Sequence, residues 1–184
     1  MTSVIGQRAR TAAAAAFIAC GLLLSAAQAP AQEKHTVLFS ASAENSKYTQ
    51  QHTIDVGDTP GHQMRVYELQ RSYGKNGPEI AGVRLKEAWT HGMSDYVELN
   101  GLALIYITYV MENGDKIFAR GSLTANSMSG ADGKKVLTNT SALTITGGTG
   151  KFLRIRGVVR TETMARPGDN ANTSTSEMEY WMEN

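Results

Sequence analysis

Short stretches in which apolar and polar residues alternate run through the chain from about residue 35 to its end. Period-two alternation marks a strand with one covered face, and no segment after residue 32 carries the 3.6-residue repeat of a long helix. The pattern predicts eight strands, over 35–40, 62–73, 81–91, 96–111, 115–123, 136–146, 152–163 and 175–182. Glycine, asparagine and aspartate separate them. Glu112-Asn113-Gly114-Asp115 is the clearest hairpin turn, because Asn-Gly readily takes the positive φ angles of a tight turn. Residues 75–78, 131–133 and 167–170 supply further loops, and Gly101 marks a bend or bulge within 96–111. Short strands at even spacing, with no fixed-period repeat, imply one all-β domain, a closed antiparallel barrel or a sandwich.

The segment 102–111 departs from alternation. Leu102, Leu104, Tyr106 and Val110 fall on one side and Ile105, Ile107, Tyr109 and Met111 on the other, so both faces are apolar. A strand with one face in water alternates apolar with polar. Two apolar faces therefore imply a cover over the outer one. Another subunit is the usual cover, which predicts a homo-oligomer; the alternative is a flap of the same chain, drawn from 33–60.

Face parity also nominates chemistry. Over 81–91 one face reads Val83, Leu85, Glu87, Trp89, His91 and the other Arg84, Lys86, Ala88, Thr90. The first face is apolar apart from Glu87 and His91 and is expected to point inward. A carboxyl beside Trp89 in an apolar interior has its pKa raised by desolvation, which makes Glu87 a candidate acid or base. His91 is suited to proton transfer near neutral pH. The plainer reading pairs Glu87 with an arginine and leaves His91 at a solvent-exposed rim, and a one-residue bulge would exchange the two faces. Tyr67, Trp89 and Tyr106 are candidates for lining an apolar ligand cavity, although such side chains serve a filled core equally well.

Composition narrows the setting. Arg8 and Arg10 precede an apolar run from Ala12 to Ala27, and Ala29-Pro30-Ala31 offers a cleavage site before Gln32. This is the pattern of a signal peptide over 1–31, with a retained N-terminal anchor as the alternative and no membrane span expected after its removal. Cys20 is the single cysteine, so 32–184 has neither disulfide nor thiol chemistry. Export without disulfides points to a bacterial periplasmic or secreted protein. Removing Arg8 and Arg10 takes the formal charge from +1 to −1, which provides no general attraction to nucleic acid.

Residues 147–157, GGTGKFLRIRG, join a glycine-dense turn to an alternating strand. Phe152 is expected to plug an end of the barrel or pack beneath it, and Gly157 to let the strand coil where a side chain would obstruct closure. With GDKIFARGSL at 114–123, LTITGGTGKF at 143–152, Gly157 before Val158-Val159, and EMEYW at 177–181, the segment 115–160 resembles the allene oxide cyclase and dirigent proteins. The resemblance implies an eight-stranded antiparallel barrel over 32–184, often trimeric, with a cavity for a small hydrophobic molecule. In those families the barrel steers a reactive intermediate to one cyclised or coupled product, an isomerase-like activity that needs no cofactor. Their functional residues have no motif match in this chain, so none carries over.

Other chemistries fit poorly. Gly150-Lys151 follows glycines, but Ile145 and Phe152 stand where a phosphate-binding loop needs glycine and Ser/Thr. Ser94 lacks a Gly-x-Ser-x-Gly elbow, and His35, His52, His62 and His91 lack metal-ligand spacing. Besides the ligand-steering barrel, two other classes stay open: a non-catalytic carrier of an apolar ligand, and a structural barrel with a filled interior.

Overall fold

The computed structural model describes residues 32–166 and 171–184; the signal-peptide reading of 1–31 and the loop reading of 167–170 lie outside the described residues. From Gln32 onward the protein is all-β, with ten strands: β1 His35–Ser42, β2 Ser46–Asp55, β3 His62–Ser72, β4 Glu79–Ile80, β5 Val83–Val97, β6 Asn100–Met111, β7 Lys116–Ser129, β8 Lys135–Gly148, β9 Ile155–Arg166 and β10 Ala171–Met182. Their order in the sheet is β1-β10-β9-β8-β7-β6-β5-β3-β2, with β4 pairing only β5. Every ladder is antiparallel. No described helix is long and apolar enough to cross a membrane.

Two features correct the eight-stranded closed barrel. The described residues form ten strands, and the hydrogen-bonded path ends at β1 on one side and β2 on the other. A 3-10 turn at Ala43–Asn45 breaks the first long segment, so β1 pairs β10 while β2 pairs β3. The expected strand 96–111 is likewise two strands. Glu98 and Leu99 carry φ values of 49° and 72° and form the tight turn between β5 and β6. Glu-Leu is not a turn-forming pair by composition, and Asn100 supports it through Nδ2, which donates to the Glu98 carbonyl at 3.2 Å.

The sheet rolls so that one face encloses the core. Arg71 on β3 donates from Nη2 to Ser174 Oγ on β10 at 3.4 Å, although these strands lie near opposite ends of the path. Phe39 on β1 sits edge-on to Tyr109 on β6 with centroids 6.3 Å apart. The Tyr180 hydroxyl accepts from the Ala81 amide at 2.8 Å. Strand twist drives this rolling, and burial of the inward apolar set stabilises it.

One end of the interior is solidly packed by Leu85, Met111, Ile117, Phe152, Ile155 and Met178. Phe152 has no exposed surface, and full burial of such a side chain is worth about 1.5–3 kcal/mol. It belongs to a 3-10 turn, Gly150–Phe152, that precedes β9. That turn is tied to the start of β7: Thr149 N donates to the Lys116 carbonyl at 2.8 Å, and Lys151 N to Asp115 Oδ2 at 3.1 Å. At Gly157 (φ 156°) a Cβ would lie 2.8 Å from Tyr180 Cα and closer still to the Glu179 carbonyl oxygen, so β9 and β10 meet there only because the side chain is absent.

Candidate functional site

The other end of the interior is hollow, and the register explains why. One inward row crosses the sheet as Phe39, Ser176, Thr161, Ser141, Leu123, Ala103, Ser94 and Arg65. Most of these side chains are small and cannot reach across the roll. The result is a cavity of about 610 Å³, within the range of small-molecule sites.

Its two walls differ in chemistry. Phe39, Tyr67, Leu69, Ile105, Ile107 and Tyr109 form an apolar and aromatic wall. Ser141, Thr161, Thr163, Ser174 and Ser176 form a hydroxyl wall, where Thr161 pairs with Ser176 and Thr163 with Ser174, each at 2.8 Å. Burial pushes the Tyr67, Tyr73 and Tyr109 phenols up, so they are neutral hydroxyls at neutral pH. Among the described lining residues there is no Asp, Glu, His or Lys, whereas Arg65, Arg71 and Arg166 all contribute.

Of the residues nominated from sequence, Tyr67 lines this cavity. It faces Gly92 across the β3–β5 ladder, and the absent side chain of Gly92 leaves room for its phenol. Glu87, Trp89 and His91 do not point inward. The β5–β6 register slips between Leu85 and Glu87, leaving Lys86 as the extra residue. Inward parity therefore passes from Leu85 to Ala88, Thr90, Gly92 and Ser94, all buried. The predicted face is reversed beyond the bulge, because one additional residue rotates every later side chain by half a period.

Glu87 accepts from Gln70 Nε2 at 2.8 Å on the convex face. His91 is exposed and bonds through Nε2 to Glu68 Oε2 at 2.9 Å. The Thr49 hydroxyl, and after it His91, hold the Glu68 carboxyl below its usual range. Glu87 thus has a glutamine rather than an arginine as its partner, and neither proposed catalytic group reaches the cavity. Tyr106, 55% exposed, also lies on the convex face.

Sequence reading passed over the two arginines that stand beside Tyr67 in the cavity wall. Arg65, Tyr67, Leu69, Arg71 and Tyr73 alternate along 62–73 and all line it. The signal was present, since two arginines share the parity of two tyrosines. Arg65 lies over the rings of Tyr67 and Tyr48, at 4.7 and 5.3 Å from their centroids. Arg71 Nε, Thr90 Oγ1 and Asn139 Oδ1 are buried without hydrogen-bond partners, an arrangement that costs free energy until a partner arrives. Among the described residues no group of three or more His, Cys, Asp or Glu is placed to hold a metal.

The convex face carries the apolar surface expected of 102–111. Val66, Met93 and Leu104 stand side by side across β3, β5 and β6, flanked by Leu102 and Tyr106. Leu102 is 61% and Leu104 52% exposed. The N-terminal segment is no flap over them, because it forms β1 and β2 within the sheet.

No protein-family model and no curated protein matches this chain, so the likeness to allene oxide cyclase and dirigent proteins stays with the motifs quoted for it. Among solved structures it is similar to one named pyocyanin demethylase, at 17% identity over 77% of this chain and 99% of that chain, with a TM-score of 0.40.

Proposed function

We propose that this chain is an exported binding protein that takes a small, predominantly apolar molecule into its cavity. The observation that carries the reading is the hollow itself. About 610 Å³ is left open by small inward residues beside a fully packed apolar end, and a structural barrel would be filled by side chains throughout. The carrier reading is favoured over cyclisation or coupling, because no carboxylate or imidazole is among the described lining residues to serve as acid or base. Periplasmic or secreted location rests on the signal pattern of 1–31. A second copy of the chain is proposed to cover the Val66–Met93–Leu104 face, making a homo-oligomer.

Native mass spectrometry of the protein from its own host, followed by denaturing extraction, tests the central claim. A small apolar molecule released from the folded protein supports it. A protein that is ligand-free and binds no hydrophobic probe overturns it.

A further inference from the structure

We propose that the molecule bound in the cavity is an organic anion, an apolar body bearing one carboxylate, and that Arg71 holds the carboxylate. This deepens the ligand-binding reading and rests on it. An arginine side chain offers a cationic guanidinium with five N–H donors in a fixed planar fork. A partly buried charge of this kind is normally matched by a carboxylate or saturated with hydrogen bonds. Arg71 has neither. Among the described residues no carboxylate lies within ion-pairing distance of it. Among the described residues its one side-chain hydrogen bond is the long contact from Nη2 to Ser174 Oγ at 3.4 Å, and Nε is buried without a partner.

The surroundings favour an anion and discriminate against a cation. Residues 32–184 carry a formal charge of −1, so the positive interior is a local arrangement and not a general property of the protein. Arg166, also lining the cavity, is paired with Asp132 at 3.9 Å, and Arg65 is engaged with two tyrosine rings. Arg71 is thus the cavity arginine that has neither a carboxylate nor an aromatic ring against it among the described residues, and whose Nε is buried without a partner. A planar guanidinium matches a planar carboxylate two bonds at a time. The unpartnered Thr90 hydroxyl lines the same space and can donate to an oxyanion. The aromatic wall of Phe39, Tyr67 and Tyr109 is left for the apolar body.

The test compares 2-naphthoate with 2-naphthamide, probes of the same ring and nearly the same size that differ in charge, by titration calorimetry on the purified protein. The expected result is that the carboxylate binds about tenfold or more tightly than the amide, as a charge-assisted hydrogen bond in a shielded site requires. Arg71→Gln should abolish that preference, so that the two probes bind about equally, and Arg71→Lys should keep part of it. Equal binding of the two probes to the native protein overturns the anion assignment alone, as does a preference that survives in Arg71→Gln. Failure of both probes to bind overturns the ligand-site reading and the anion assignment together.

Discussion

Gly92→Ala probes the link between sheet register and cavity. Gly92 faces Tyr67 across the β3–β5 ladder, and a Cβ built on it would lie 2.5 Å from Tyr67 Cε1 and closer still to Cζ and Oη. Carbon atoms settle at about 3.5–4.0 Å, so the ring must retreat by about 1 Å or more. It is held by Tyr48, edge-on at 5.7 Å, and by Arg65, 4.7 Å over its face. Retreat therefore disturbs both contacts and intrudes on the cavity. Overpacking of this kind costs about 1–3 kcal/mol, and in a domain of this size each kcal/mol lowers the melting midpoint by about 2–4 °C. Urea denaturation measures the loss, and probe binding should weaken alongside it. The decisive control is Tyr67→Leu, which removes the three clashing atoms. In that background Gly92→Ala should cost less than about 0.5 kcal/mol, a coupling that a double-mutant cycle reads directly. An equal cost in both backgrounds would refute the assignment of that space to the phenol.

Three further outcomes are expected. Glu87→Gln should leave ligand binding unchanged and alter stability by no more than about 1 kcal/mol, since its partner is Gln70 on the convex face; lost binding in a titration would show that the parity beyond Lys86 is wrong. Leu104→Asp should leave the fold intact, as a change at a half-exposed position costs within about 0.5 kcal/mol, but should convert an oligomer to monomers in light scattering; an unchanged mass would remove this face from the interface. Hydrogen bonds to Asp95 and then Asp58 raise His62 above its ordinary 6.5, so its contribution to stability is complete below pH 6.5 and is lost as pH rises through the raised value; His62→Gln should flatten that decline in urea midpoints, and an unaltered slope would rule it out.

Much of the fold was legible because alternation is a local property. The all-β class, the Asn113-Gly114 turn and burial of Phe152 each follow from a few neighbouring residues. β2 escaped because Ser46–Asp55 is almost wholly exposed and has no apolar face to alternate. The turn at Glu98-Leu99 escaped because neither residue favours positive φ by composition.

The site depended on relations that no local window contains. Sequence alone determined that 62–73 presents Tyr67 with two arginines on one parity, and that 102–111 is apolar on both faces. Tertiary structure decided which parity of each strand is interior. The extra residue at Lys86 sent Glu87, Trp89 and His91 outward, since a half-period rotation is invisible until the partner strand is known. It also decided that small residues from several strands meet in one layer. A cavity is made of side chains too short to touch across a rolled sheet, and only the roll brings Arg71 and Ser174 within 3.4 Å.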